Sequence, residues 1–221
     1  MSRNRGTPRR LSDGEVVGVV DGVERILAMV GPSLVRGDYG LIVGEDTSGR
    51  LPALLVARAV RQARRAAGLT PPPMVFLQGA GRAPAERELT GLTTAFAARR
   101  HLIDAAQPGS RALIITEFVG AGRSSGEIAR RLAELGHGAD VATLATNTDE
   151  SYCRRHGGWP DDMRLFTAEA DFEIVVRRPW LSGLRRQKFA AAPVLTGARS
   201  RAIATNTRGR LGRELHERGL S

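Results

Sequence analysis

Residues 111–128, RALIITEFVGAGRSSGEI, decide how the rest of the chain is read. Ala112-Leu113-Ile114-Ile115 is a short, β-branched apolar run, the pattern of a buried strand. Glu117 follows at its carboxyl end. Gly120-Ala121-Gly122-Arg123-Ser124-Ser125 is small and flexible, and a helical pattern comes after it. Ser124-x-x-Glu127 has the form of a capping box and predicts that the helix begins there. A strand, a glycine turn and a helix N-terminus in succession make an anion cradle. Backbone N–H groups point outward, the helix dipole favours negative charge, and two hydroxyls can add hydrogen bonds.

A second strand–loop–helix unit lies upstream. Tyr39-Gly40-Leu41-Ile42-Val43-Gly44 reads as a strand and runs into Glu45-Asp46-Thr47-Ser48-Gly49-Arg50. A helix is expected from about Pro52, where proline suits the first turn. Leu54, Leu55, Val56, Ala59 and Val60 give it an apolar face, Arg58, Arg61, Arg64 and Arg65 a wet one, and Gly68 a stop. The Ser48 hydroxyl, the Gly49 amide and the Arg50 fork are donors suited to a diphosphate. Glu45 and Asp46 would repel it unless Mg²⁺ intervenes. A purely local alternative has Asp46 bonding its own turn and Arg50 paired with Glu45.

The remaining pattern repeats this alternation. Ser12-x-x-Glu15 opens a helix carrying Val16, Val19, Val20, Val23, Ile26, Leu27 and Val30, which Gly31-Pro32 is expected to end. Met74–Leu77 is a strand. Ala83–Ala106 is a long helix with Leu89, Leu92, Phe96, Leu102 and Ile103 at three- and four-residue steps. The helix after the glycine turn runs to about Leu135. Asp140–Leu144 and Phe172–Val176 are further strands, residues 146–166 are polar and turn-rich, and Thr205–Ser221 is a basic helix. Such alternation predicts an α/β fold, a doubly wound parallel sheet in three layers. The expected division is a basic arm at 1–11, the α/β domain at 12–176 and a basic C-terminal extension at 177–221. Ligands of these sheets sit beyond the carboxyl ends of the strands, so 45–50 and 116–125 should open on one edge.

The stretch 113–124 resembles the phosphoribosyl-pyrophosphate (PRPP) loop of type I phosphoribosyltransferases. That loop has an apolar run, two acidic residues, two apolar residues and a Thr/Gly-rich turn. Here Leu113-Ile114-Ile115 matches the run, Thr116-Glu117 the acidic pair, Phe118-Val119 the apolar pair, and Gly120 to Ser124 the turn. The first acidic position is thus an uncharged threonine. The resemblance implies a phosphoribosyltransferase-like fold and transfer of phosphoribosyl from PRPP to a nucleobase or related acceptor, with Mg²⁺ and release of pyrophosphate. Glu117 would then hold the ribose hydroxyls, and the segment Thr116, Val119, Gly120, Ala121, Gly122, Arg123, Ser124 and Ser125 the 5-phosphate. Glu45, Asp46, Thr47, Ser48, Gly49 and Arg50 would form the pyrophosphate loop, with Arg50 neutralising the leaving group. Arg82 and Arg87 fall where the family places a mobile loop. Tyr152, Trp159, Phe166 and Trp180 lie where an acceptor hood varies and are candidates to stack on a flat ring. Homodimers are common in the family. The alternative is a non-catalytic regulator that binds PRPP or a nucleoside monophosphate and touches RNA or DNA through its basic ends.

Composition bounds these readings. The 221 residues are 42% hydrophobic, enough for one sizeable core, and no apolar run approaches ~20 residues, so no membrane span is expected. A single cysteine, Cys153, rules out an intrachain disulfide. The opening MSRNRGTPRRL lacks the apolar core of a secretory signal, and a cytoplasmic protein is the expectation. The net charge of +10 is concentrated at the ends: eleven Arg/Lys stand against two acids from Arg177 to Arg218. That excess attracts phosphates or nucleic acid, although no nucleic-acid-binding motif accompanies it. No Walker-type G-x-x-x-x-G-K-[ST] occurs, Gly120-x-Gly122-x-x-Ser125 is a degraded dinucleotide fingerprint, and His101, His137, His156 and His216 lack metal-ligand spacing.

Overall fold

Five parallel strands make the sheet: β1 (Tyr39–Glu45), β2 (Met74–Leu77), β3 (Arg111–Val119), β4 (Ala139–Thr146) and β5 (Leu165–Thr167), in spatial order β2-β1-β3-β4-β5. The computed structural model describes residues 13–45, 49–79, 86–106, 109–170, 184–185, 194–195 and 198–220. Every residue of β1 is buried, and β3 and β4 nearly so, because helices cover both faces of a parallel sheet. The helices are α1 (Asp13–Arg36), α2 (Arg50–Ala66), α3 (Glu86–Asp104), α4 (Arg123–Ala133), α5 (Glu150–Gly157) and α6 (Ala198–Glu217). A short antiparallel pair, β6 (Leu184–Arg185) with β7 (Val194–Leu195), stands apart from the main sheet.

Alternate strand residues feed two cores. Leu113 and Ile115 pack with Val23, Ile26 and Leu34 of α1, Val56 and Val60 of α2, and Leu211 and Leu215 of α6. Ala112 and Ile114 pack with Phe96 and Ile103 of α3, Ile128 and Leu132 of α4, and Trp159. The three-layer, doubly wound α/β architecture expected from the alternation is therefore present.

Several local expectations need correction. α1 does not stop at Gly31-Pro32 but continues to Arg36. Pro32 and Ala28 lie on the exposed face, where water can satisfy the Ala28 carbonyl that the proline leaves without a helical donor. Leu34, fully buried, anchors the extra turn, which ends at Gly37 (φ 96°) with the Gly37 and Asp38 amides both donating to the Ser33 carbonyl. Residues 146–166 are not merely turns. They contain α5, capped by Asp149 Oδ1 accepting from the Tyr152 amide at 2.7 Å, and begin β5. A three-residue strand is too short to show a period. The expected strand at 172–176 and the Ser12 cap lie outside the described residues.

At the amino edge of the sheet a polar cluster joins three strands. Asp140, fully buried, accepts from Tyr39 Oη (2.7 Å), Arg111 (2.8 and 3.0 Å), the Arg164 side chain (2.8 Å) and the Arg164 amide (3.0 Å). Burial pushes the Asp140 carboxyl up, but the bonds from Arg164, Arg111 and Tyr39 outweigh it and hold it below the ordinary carboxylate value. The same burial and the hydrogen bond to Asp140 push the Tyr39 phenol up.

Candidate active site

The site region begins where β1 and β3 part. Their pairing runs as far as Gly44 opposite Ile115. Beyond it, the turn that leaves β1 comes back against β3: a Cβ on Gly49 would sit 1.8 Å from the Ile115 carbonyl oxygen. Only glycine allows that approach. α2 starts at the next residue, Arg50, whose guanidinium carbon lies 4.2 Å from the centre of the Phe76 ring.

β3 carries on past the crevice with β4 alone beside it. Thr116 is fully buried and Glu117 is 7% exposed. The alternation of faces reverses here: Phe118 packs on the first core and Val119 belongs to the second. The turn that follows, Gly120 to Gly122, is partly exposed until Gly122, which is buried with φ 69°. α4 starts at Arg123, and its first bond runs from the Gly126 amide to the Gly122 carbonyl at 2.8 Å. The capping box expected at Ser124 and Glu127 does not form. The helix opens earlier, on a glycine without a side-chain cap, and Glu127 is held by Arg130 and Arg131.

Three contacts tie the turn down from the side of α5. Trp159 Nε1 donates to the Gly122 carbonyl at 2.7 Å, Arg123 Nε donates to the His156 carbonyl at 2.9 Å, and Gly157 lies so close that a Cβ would be 2.3 Å from the Ala121 carbonyl. The Cys153 thiol, 3.8 Å from the Gly120 carbonyl, is pushed up to about 11 by burial and then by Asp149, so it is no nucleophile at neutral pH. The carbonyls of the turn thus face protein. Its amides do not: the N–H groups of Gly122, Arg123, Ser124 and Ser125 donate to no acceptor among the described residues, and the Ser125 hydroxyl donates to the Gly122 carbonyl at 3.1 Å. A left-handed glycine leading into free amides is an anion-binding geometry.

The loop after β2 closes the group. A Cβ on Gly79 would be 2.1 Å from the Ser124 carbonyl oxygen. Loops leaving β1, β2 and β3 therefore meet at one edge, and Arg50 and Ser124 open α2 and α4 there, on opposite faces of the sheet. This is the switch point of the 2-1-3-4-5 order, where ligands of doubly wound sheets bind. Glu45 sits at the same edge, 7% exposed, and its carboxylate accepts no hydrogen bond among the described residues. Glu45 and Glu117 are two buried carboxylates at the rim, but no group of three or more His, Cys, Asp or Glu among the described residues forms a metal cluster.

Other sequence candidates fall elsewhere. Asp46, Thr47, Ser48, Arg82 and Trp180 lie outside the described residues, and Arg87 falls on the first turn of α3. Trp159 is 4% exposed beneath the turn and is not free to stack on an acceptor. Phe166 is half-buried against the first core, with Arg164 5.4 Å from its ring centre. Tyr152 is 43% exposed and lies 4.3 Å from the His156 ring. Sequence reasoning missed the tether from α5; its signal was Gly157-Gly158-Trp159, a small-residue approach beside a tryptophan that needs an acceptor. No helix among the described residues is long and apolar enough to cross a membrane.

No family model matches the chain, and no curated protein matches it in sequence. Solved structures do show similarity. An orotate phosphoribosyltransferase from Aeropyrum pernix is 15% identical over 69% of this chain and 71% of that one, with a TM-score of 0.42. A purine phosphoribosyltransferase from Pyrococcus horikoshii is 13% identical, covering 67% and 84%, at 0.38. The adenine phosphoribosyltransferase of Saccharomyces cerevisiae, solved with adenine and an imino-altritol bisphosphate, is 16% identical, covering 66% and 75%, at 0.42.

Proposed function

We propose that the chain is a phosphoribosyltransferase that binds PRPP at the β1–β3 switch point and passes the phosphoribosyl group to a nucleobase or related small acceptor. The observation that carries this reading is the convergence at one rim of the amides of Gly122 to Ser125, which donate to no acceptor among the described residues, with the buried carboxylates of Glu117 and Glu45 and with Arg50 at the start of α2. In the reaction the bond from the ribose anomeric carbon to the diphosphate oxygen breaks, a bond to an acceptor nitrogen forms, and pyrophosphate leaves with both bonding electrons.

The protein's part is to place and neutralise charge. The 5-phosphate fits the turn at 120–125, where free amides and the Ser124 hydroxyl donate to it. Glu117, at the root of that turn, accepts from the ribose hydroxyls and orients the ring. Arg50 stands on the diphosphate side, whereas the Gly49 amide expected to help there already donates to the Glu45 carbonyl at 2.6 Å. Glu45 and Glu117 would be the residues to hold Mg²⁺, which is commonly bound by one or two carboxylates with substrate phosphates and would screen the leaving diphosphate. Glu45 has no other described partner to satisfy it.

One observation favours a second reading. Thr116 stands at the first acidic position and is fully buried, so one expected charge near the sugar is missing. A regulator that binds PRPP or a nucleoside monophosphate without turning it over would have this site. The test is the thermal midpoint with and without PRPP and Mg²⁺, paired with an assay of pyrophosphate release across the common bases. A midpoint rising with PRPP concentration together with release supports the transferase. A rise without release selects the regulator, and no rise with PRPP or any nucleoside monophosphate ends both.

A further inference from the structure

Two stretches of the chain carry no acid at all: residues 47–85, with six arginines, and residues 174–213, with ten Arg/Lys. They are distant in sequence, and nothing in either one requires them to meet. The fold packs α2, from the first, against α6, from the second. Arg58 of α2 lies on the α6 backbone, its guanidinium 2.5 Å from where a Cβ on Gly212 would be. Further along, Gln62 and Ala63 of α2 and Gly219 and Leu220 beyond α6 line one cavity of about 250 Å³, so the helices run in the same sense.

Many arginines elsewhere among the described residues meet an acid. Arg130 and Arg131 meet Glu127, Arg111 and Arg164 meet Asp140, Arg36 meets Asp38, Arg100 meets Asp104, and Arg218 meets Asp21, Glu24 and Glu214. The α2–α6 surface gathers four that do not: Arg58, Arg61, Arg65 and Arg213 are exposed and have no acidic partner among the described residues. On α2 the three lie at i, i+3 and i+7, along about 10 Å of helix. The pairing of Arg218 removes charge only beyond the carboxyl end of α6.

We infer that the exposed α2–α6 surface binds the phosphodiester backbone of a nucleic acid. A row of separated, forked cations without counter-charges matches regularly spaced phosphates, and its mutual repulsion is relieved when they arrive. The described exposed residues on these two helices include no Phe, Tyr or Trp, so recognition is of backbone charge and not of bases. A lipid surface would need large apolar side chains among the cations, and the described exposed residues of α2 and α6 include none. The inference does not depend on PRPP binding.

The experiment measures binding of the full chain to a labelled 20-nucleotide RNA, a 20-base-pair DNA duplex and phosphatidylserine vesicles. The RNA and DNA arms distinguish the two sources of the same chemistry. Four phosphate contacts predict that raising salt from 50 to 200 mM weakens binding about 100-fold. The triple variant R61A/R65A/R213A should lose about three from the magnitude of the log–log salt slope, and the matching lysine triple should keep most of it. These positions are exposed and alanine favours helix, so an unchanged thermal midpoint and PRPP response are expected. Absence of binding to both nucleic acids at 50 mM salt overturns the inference. So does an unaltered slope in the alanine variant, or binding to vesicles alone.

Discussion

A few single positions carry most of what this molecule risks. Asp140 is buried beneath two arginines and a tyrosine, and removing its charge strands them. Asp140→Asn is expected to lower stability by about 3 kcal/mol in urea unfolding. Because the folded Asp140 carboxyl is held below its ordinary 3.8, its contribution is complete above that value and fades as pH falls through the folded one. The gap between wild type and variant should therefore be full at pH 6 and shrink below pH 4; a gap that widens in acid contradicts the network. Gly49→Ala should cost about 1–3 kcal/mol, since its Cβ would meet the Ile115 carbonyl and a backbone must shift. Glu117→Ala should weaken PRPP binding at least tenfold while the thermal midpoint of the free protein holds. Unchanged affinity would remove Glu117 from the site. The buried Cys153 should resist a thiol reagent at pH 8 until the protein is unfolded, because its proton is held to about 11.

At the scale of elements, α4 distinguishes a structural from a functional serine. A capping box would make Ser124→Ala cost about 1 kcal/mol. Here α4 opens on Gly122 and Ser124 caps nothing, so the variant should unfold within about 0.5 kcal/mol of wild type while losing affinity for PRPP. Equal affinity with lowered stability would reverse both assignments. The tether from α5 belongs to the same scale. Trp159, His156 and Gly157 hold the carbonyl side of the turn at 120–123, which leaves the amide side turned outward. Neither helix shapes the turn by itself; the contact between them does.

For the whole molecule, α6 is part of the main core. Leu211 and Leu215 are fully buried with α1 and α2, and Arg218 bonds Asp21 on α1 at 2.5 Å. A helix with two internal glycines is marginal when isolated, and here packing supplies what propensity does not. Leu215→Ala should destabilise the whole domain by about 2–5 kcal/mol in a single cooperative transition. An independent early transition would mean that α6 folds separately. Docking α6 on α2 also brings Arg58 of one acid-free stretch against Gly212 of the other.

The order of strands and helices was legible in the sequence because β-branched runs and three- and four-residue apolar steps are local signals. So was the meeting of Glu45, Gly49 and Arg50 with 116–125 at one edge, since parallel strands send all their carboxyl-end loops the same way. What sequence could not decide depends on partners far along the chain. The start of α4 is set by Trp159 and Gly157, the passage of α1 through Pro32 by the burial of Leu34, and the charge of Asp140 by Tyr39, Arg111 and Arg164. Local spacing determines which elements form. Long-range packing decides where they begin, which polar groups are satisfied and which are left facing the solvent to bind something else.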